Sequence, residues 1–435
     1  MNKYSSDEKP TDRRIGGREI YVLRPPSQSW DGWWWVYAPL ARASTLMRDS
    51  ELQDLEAATR GAGTVNARKR LVELSEDTRT RSNAKRGLRR LMLVPTAACN
   101  FNCRYCFAVA GHSADQLSET MGRGAIDYYL GHSVPGAPLT ICFLGGGEPT
   151  LVLPLIDRLL DYAELRNNGE RPCQFSIVTN GSGNVEDLID VSFRHKVSIG
   201  FSFDILKDAQ ERDRGHYELV AKNLHALLTA GIEVSIKTTI TPDTAPFMSE
   251  MVRITVQSWP SVNSIHMEPV LAPAMYSDTE KLRAFYQAFI TGWFDASTVA
   301  KKYGINLGNS LSAHTRLLLD RFCDGTFLVG PRGIVSACEF VSSPQDPGFV
   351  DVELGHVDRN GEMMLDGRGH IASQGRRFSC ERCFAKWHCA GGCGHRRLVL
   401  GATLDSETCR FTREFMARTL FSRFEETMRI VMKQK

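Results

Sequence analysis

No run of about 18 apolar residues occurs anywhere in this 435-residue chain, which excludes an ordinary membrane-spanning helix. The opening MNKYSSDEKP has no apolar stretch behind its charges, so no secretory signal is read there and the chain reads as cytosolic, with no membrane partner. Neither charge dominates: 53 Lys and Arg against 50 Asp and Glu leave a formal +3, too little to imply nucleic acid by itself. There is no internal repeat and no low-complexity tract. Cysteine, by contrast, is plentiful. Twelve of them in a chain without an export signal point to metal ligation rather than disulfides. With 42% hydrophobic and 24% charged residues the composition is that of a globular protein, and the length allows two or three domains.

Cys99, Cys103 and Cys106 stand x3 and x2 apart in VPTAACNFNCRYC, residues 94–106. Three thiolates on one short loop can hold three irons of a cubane 4Fe-4S cluster and leave the fourth iron open. On spacing alone, a partial zinc site or reduced core thiols are the alternatives. The loop follows the apolar run LMLV (91–94). Further runs follow at LTICFL (139–144), FSIVT (175–179), 197–203, 233–239 and 264–270, with helical stretches such as 153–166 and 217–230 between them. That rhythm predicts repeated βα units and a parallel sheet. The fold class is therefore α/β, and six strands in this order suit a partial, open (β/α)6 barrel. The cluster loop leaves the carboxyl end of the first strand, the end that carries the chemistry of α/β barrels.

The loop resembles the signature of the radical S-adenosylmethionine (radical SAM) family. There the open iron chelates the amino and carboxylate groups of S-adenosyl-L-methionine, and reduction expels methionine and leaves a 5'-deoxyadenosyl radical. The resemblance places Tyr105 near the adenine. Gly145-Gly146-Gly147-Glu148-Pro149 resembles the family's Gly-Gly-Glu-Pro motif, which implies that Gly146, Gly147 and Glu148 bind the methionyl amino group; the bland reading of the glycines is a tight turn. Thr179-Asn180-Gly181 and Ser202-Phe203-Asp204 stand where the family has Thr-Asn-Gly and Ser-x-Asp-Gly. Ile205 replaces the usual glycine, so a different local turn is expected. Gln210-Glu211-x-x-Arg214 fills the slot of a His-Asp-x-x-Arg pattern, which implies cofactor contacts for Ser202 and Arg214; a solvated charge is the alternative for Arg214.

Seven further cysteines run Cys323-x9-Gly333-x4-Cys338, Cys380-x2-Cys383-x5-Cys389-x3-Cys393, then x15 to Cys409. The pattern resembles the SPASM extension of radical SAM maturases, which holds two auxiliary 4Fe-4S clusters and brings the implied total to three. By that resemblance Cys380, Cys383, Cys389 and Cys409 ligate one cluster, and Cys323, Cys338 and Cys393 the other. Some relatives carry an eighth cysteine a few residues before the first; here Leu317 lies in that neighbourhood, so the fourth ligand is open. A pair of zinc sites is the alternative. His388 and His395, beside these ligands, are expected to hydrogen-bond rather than ligate. Glu339 follows Cys338, where sulfatase-maturating relatives have a proton-accepting aspartate, which implies a catalytic base; a surface loop glutamate is the alternative. Cys142 and Cys173 fit no pattern and read as core packing.

The expected division is residues 1–88, 89–315 and 316–435: an N-terminal α+β domain, the barrel core and the SPASM domain. The first shows a candidate hairpin over 19–22 and 33–37 and a polar helix over 50–58. Trp33, Trp34 and Trp35 cannot all face one side of a strand, so at least one is expected to be exposed. From 323 to 409 there is little periodicity, and that segment is expected to depend on metal. The basic residues from Arg68 to Arg90 read as a solvated helix and linker or as an attraction for an acidic peptide.

The first function expected is a radical SAM/SPASM maturase that installs a cross-link in a ribosomally synthesised precursor peptide, its N-terminal domain recognising a leader. Such an enzyme implies a reducing partner such as flavodoxin or ferredoxin. Formylglycine-forming sulfatase maturation is the second, disfavoured by the long N-terminal segment and the missing eighth cysteine. A non-catalytic iron-sulfur or zinc protein on nucleic acid is the third, which would leave Gly146 to Pro149 without a task.

Overall fold

The computed structural model describes residues 13–81, 87–108, 111–276, 278–323, 326–366 and 380–433. Strands β1 (Arg13–Arg14), β2 (Tyr21–Leu23), β3 (Trp34–Ala38) and β4 (Ala43–Met47) form an antiparallel sheet in that order. The expected hairpin is present, with Tyr21 opposite Tyr37 and Leu23 opposite Trp35. One face of this sheet carries Ile20, Val22, Val36 and Met47. It packs on helices Asp49–Ala58 and Val65–Leu74 through Leu52, Leu55, Leu71 and Leu74. The other face sends Tyr21, Leu23, Trp35 and Tyr37 into the main core. Strand alternation thus separates the tryptophans, but it leaves neither Trp33 nor Trp34 in open solvent. The Arg48 guanidinium lies 3.9 Å from the Trp33 ring centre and that of Arg24 lies 3.6 Å from Trp34. Both rings end half-buried, because cationic stacking covers a face that apolar packing does not.

The large sheet is built from β5 (Arg90–Leu93), β6 (Leu139–Phe143), β7 (Cys173–Thr179), β8 (Ser198–Ser202), β9 (Val234–Ile240) and β10 (Ser264–Pro269), neighbours in sequence order and all parallel. These are the six strands that the apolar runs predict. The helices expected over 153–166 and 217–230 are Leu153–Asn167 and Tyr217–Thr229. Among the described residues the sheet also extends past both edges, which the sequence pattern does not announce. Strand β11 (Asn306–Gly308) adds to β10, and β12 (Thr326–Val329) pairs parallel with β5. Beyond β12, β13 (Ile334–Ser336), β14 (Glu353–Val357) and β15 (Met363–Leu365) continue antiparallel. The cysteine-rich segment is therefore partly an extension of the barrel sheet.

It also ends in a long helix, Gly394–Lys433, interrupted at Gly401, where φ is +69°. That helix packs on Thr279–Tyr303 through stacked Tyr286 and Phe411 and through Phe289, Trp293 and Phe415, with Arg283 paired to Glu407 at 2.9 Å. Aromatic packing therefore anchors the end of this segment on the helix Thr279–Tyr303. No described helix is long and apolar enough to cross a membrane.

The N-terminal sheet is clasped to the C-terminal segment by one carboxylate. Glu19 accepts from Arg14 Nη2 (2.7 Å) and Lys386 Nζ (2.8 Å) on one oxygen, and from Tyr21 Oη (2.6 Å) and Trp387 Nε1 (2.7 Å) on the other. Lys386 is only 8% exposed. Burial pushes the Glu19 carboxyl up, but the bonds from Lys386, Tyr21 and Trp387 outweigh it, and its pKa is lowered. The sign follows: the stabilisation is complete above the ordinary glutamate range and is lost as pH falls through the lowered value. Glu19→Gln is expected to cost about 2–3 kcal/mol near neutral pH, a buried-pair loss discounted for Glu19's partial exposure. The difference from wild type should shrink on acidification, as urea unfolding over a pH series would report.

Candidate active site

The loop after β5 is fixed by its own backbone and by neighbouring turns. Ala97 N donates to Asp115 O (2.9 Å), Leu117 N to Pro95 O (2.9 Å) and Arg104 N to Asp213 O (2.9 Å). Asn180 Nδ2 donates to Asn100 Oδ1 (3.0 Å), whose own Nδ2 donates to Ser182 Oγ (2.7 Å). Cys99, Cys103 and Cys106 are thus presented together, half-buried and without disulfides. Burial pushes the Cys103 thiol up to about 11 and raises that of Cys99.

The glycine turn after β6 lies directly against this loop. A Cβ on Gly147 would stand 2.1 Å from Ala98 O, and one on Gly146 would stand 2.9 Å from Val94 Cγ1 and 2.8 Å from Ser342 Oγ. Only glycine permits that approach. Glu148 N donates to Ala98 O (2.8 Å). The buried Glu148 carboxylate accepts from Thr150 N (3.0 Å), Thr150 Oγ1 (2.7 Å) and Thr179 Oγ1 (2.6 Å) on Oε1, and from Asn180 N (2.7 Å) on Oε2. The expected Thr179-Asn180-Gly181 tripeptide is therefore tied to the glycine motif through one carboxylate.

On the far side of the loop the Tyr105 hydroxyl donates to Asp204 Oδ2, and Arg214 Nη1 donates to Tyr105 Oη (3.2 Å). Asp204 also accepts from Thr239 N (3.1 Å), and burial raises its pKa. Arg214 is held against Tyr105, Asp204 and Cys103; burial works against its charge, but these partners raise its pKa. It is not the solvated charge of the alternative reading. Gln210 and Glu211, the departures from the family pattern, serve locally. Gln210 joins Asp204 N (3.0 Å) to Gly215 O (2.8 Å), and Glu211 caps Tyr217 N (2.8 Å). A cleft of about 470 Å³ opens here, lined by Cys99, Asn100, Phe101 and 211–216. Ser202 ends β8, half-buried on the barrel's inner face.

Ile205 adopts φ +58°, the left-handed conformation that a glycine takes readily, while its side chain is wholly buried. Its packing offsets a backbone cost of about 1–2 kcal/mol.

In the C-terminal segment, Cys380, Cys383, Cys389 and Cys409 line one enclosed cavity with Arg396 and Thr412. Cys323, Cys338 and Cys393 lie close enough to act on one another's ionisation, and burial pushes Cys323 up to about 12. The residues fit metal clusters on two counts. Arg396 Nε is buried without a partner beside the first set, a costly arrangement unless an anionic group fills the cavity. Among the described residues, the one trio of ligand atoms all within 4.8 Å of one another is that of Asp157, Asp161 and His195. No cysteine set closes around a point as tetrahedral zinc requires, whereas cubane ligands bind separate irons.

His388 Nδ1 bonds Leu317 O (2.7 Å) and its Nε2 bonds the Tyr37 hydroxyl, while His395 stacks on Phe340. Glu339 is half-exposed, with its carboxylate 3.9 Å from Arg90 Nη2. It is near enough to Cys323, Cys338, Cys142 and Glu268 to raise their pKa values, which puts it beside the second cysteine set. Cys142 lies on the barrel's inner face; Cys173 is exposed at the start of β7, which corrects its reading as core.

Sequence reasoning passed over the interior itself. Along β6, β7, β9 and β10 buried residues alternate with half-buried ones, and the half-buried set on β9 and β10 is polar: Ser235, Lys237, Thr239, Ser264, His266 and Glu268. The period-two polarity was the available signal.

Ile205→Gly is expected to be more stable than Ile205→Ala by about 1 kcal/mol, since both lose the side chain and only glycine relieves the positive φ. Denaturant unfolding of the two variants checks this.

Residues 93–245 match the Radical SAM superfamily. An uncharacterized protein, MJ0907 of Methanocaldococcus jannaschii, is 29% identical over 38% of this chain, and the match spans 58% of that protein. The radical SAM cyclopropyl synthase TigE of Paramaledivibacter caminithermalis is 22% identical over 70% of the chain and 68% of its own length. A cysteine-type anaerobic sulfatase-maturating enzyme of Clostridium novyi is 20% identical over 76% and 95%. In fold the chain is similar to anSMEcpe with bound AdoMet and Kp18Cys peptide (TM-score 0.62, 17% identity, 78% of this chain and 99% of that one). It is also similar to Streptococcus suis SuiB bound to precursor peptide SuiA (TM-score 0.50, 14% identity, 83% and 92%). With its three-cysteine loop held at the carboxyl end of a parallel barrel, the chain is an enzyme that carries a Radical SAM superfamily domain over residues 93–245, followed by a cysteine-rich C-terminal region.

Proposed function

We propose that this enzyme modifies a ribosomally synthesised precursor peptide, removing a hydrogen atom from one residue and directing a cross-link through carbon, sulfur or oxygen. The observation that carries the reading is the polar, half-buried inner face of β9 and β10, with Ser235, Lys237, Thr239, Ser264, His266 and Glu268, and Glu339 near enough to act on both Glu268 and Cys323. The names of similar proteins support a peptide: anSMEcpe is described with Kp18Cys peptide and SuiB with precursor peptide SuiA.

Cys99, Cys103 and Cys106 would hold a 4Fe-4S cluster, and S-adenosyl-L-methionine bound to it supplies a carbon-centred radical able to take hydrogen from an unactivated C–H bond. The chain's own work is positional. Tyr105, Asp204 and Arg214 stiffen the loop and place a cation beside it, which suits a carboxylate of the cofactor. The turn at Gly146 and Gly147 offers backbone at close range, Glu148 fixes that turn to the third barrel strand, and Ser202 stands at the rim. Cys380, Cys383, Cys389 and Cys409, with Cys323, Cys338 and Cys393, would hold two auxiliary clusters able to accept the electron that product formation releases. Glu339 would accept the substrate proton on its carboxylate. The antiparallel sheet ending at edge strand β4 suits addition of an extended leader peptide.

Formylglycine formation is the second reading, favoured by the match spanning 95% of the Clostridium novyi enzyme. The N-terminal sheet argues for the first.

The test is anaerobic reconstitution with iron and sulfide, reduction, and incubation with S-adenosyl-L-methionine and the peptide of a neighbouring short reading frame. The expected outcome is 5'-deoxyadenosine together with a loss of hydrogen mass from the peptide. Glu339→Gln should lower peptide product about 10²-fold while 5'-deoxyadenosine persists. An unchanged peptide beside an oxidised sulfatase-motif cysteine would favour the second reading.

A further inference from the structure

We propose that Lys237 is the residue by which the barrel interior grips its substrate, pairing with the carboxylate of an Asp or Glu side chain in the peptide segment to be modified. The proposal rests on the peptide reading above and names the chemistry of the segment that enters.

Lys237 lies in the middle of β9 on the half-buried, inward face. Its backbone is opposite Ser202, but its side chain runs elsewhere. A Cβ on Gly200 would stand 2.7 Å from Lys237 Cε and 3.3 Å from Cδ, so the aliphatic stem crosses β8 at Gly200, where the missing side chain makes room. Gly200 precedes Ser202, so the stem points down the barrel, away from the rim where Ser202 and the cysteine loop stand. The ammonium sits where it acts on Cys142, His266 and Glu268.

No hydrogen bond or ion pair engages this ammonium among the described residues, and the nearby anions are committed elsewhere. Glu268 Oε1 accepts from Ser310 N (2.6 Å) and Ser310 Oγ (2.8 Å). Glu339 lies 3.9 Å from Arg90. Burial raises the Glu268 carboxyl to about 7, and burial together with Lys237 lowers His266 to about 4, so His266 is a neutral neighbour. The interior therefore presents a lysine cation with no matched anion, in walls of low dielectric where a charge-assisted hydrogen bond is strong. A carboxylate suits it better than a phosphate, because the site has a single ammonium, no arginine fork, and Glu268 and Glu339 close enough to repel a dianion.

The test uses the anaerobically reconstituted holoenzyme and small probes, so it needs neither the true precursor nor turnover. N-acetyl-glutamate methylamide and N-acetyl-glutamine methylamide, nearly identical in shape, are titrated by ligand-observed NMR against wild type, Lys237→Met and Lys237→Arg. The expected result is that the acid binds about tenfold or more tighter than the amide, that Lys237→Met abolishes this preference, and that Lys237→Arg retains much of it. Affinity for S-adenosyl-L-methionine should be the same in all three. Equal binding of acid and amide, binding of neither, or a preference that survives in Lys237→Met would overturn the proposal. Tighter binding of glycerol 3-phosphate than of the acid would also overturn it. So would weakened S-adenosyl-L-methionine binding in a folded Lys237→Met, which would assign the ammonium to the cofactor. Since binding is read without chemistry, a failure of peptide modification leaves these outcomes distinct.

Discussion

The arrangement of this enzyme depends on a backbone approach that tolerates no side chain. Gly147 lies against the carbonyl of Ala98, and the next residue, Glu148, donates its N–H to that same carbonyl. The Glu148 carboxylate then collects Thr150, Thr179 and Asn180. The cysteine loop and the carboxyl ends of the second and third barrel strands become one unit. A charged group so deeply buried is stable only because each oxygen is answered by donors. Tyr105, Asp204 and Arg214 perform the corresponding task from the other side. Between these two braces the three thiols of Cys99, Cys103 and Cys106 are presented on one loop.

The second organising feature is the continuity of the large sheet. Because β12 adds to the edge of β5, the segment bearing Cys323 and Cys338 is brought beside the barrel interior, and Glu339 is carried to its wall. The long final helix brings Cys409 to the set of Cys380, Cys383 and Cys389, held there by the aromatic contact with residues 279–303. The N-terminal sheet meets the same region through Glu19, Lys386 and Trp387. N-terminal sheet, barrel and cysteine-rich segment are thus mechanically linked.

The barrel strands were legible because their buried faces are runs of Ile, Phe, Val and Leu, and the cysteine sets because their spacing is specific. The added strands β11 to β15 were not, since they are three to five residues long and take their stability from neighbouring strands rather than from their own pattern. The positive φ of Ile205 was not legible for a related reason: a β-branched residue in that conformation contradicts local propensity, and only its complete burial shows what offsets the cost. Lys237, Glu268 and His266 were hidden because a polar residue at every second position reads as an exposed face. In a barrel the same pattern marks the inner face.

A cluster held by Cys99, Cys103 and Cys106 with one iron free for S-adenosyl-L-methionine must respond magnetically to that molecule. Electron paramagnetic resonance of the reduced, reconstituted protein tests it most directly, with Cys380 and Cys323 replaced by alanine so that the loop's own signal is isolated. Adding S-adenosyl-L-methionine is expected to shift the g-values of that signal. An unchanged spectrum, with the loop's cluster demonstrably present, would contradict it.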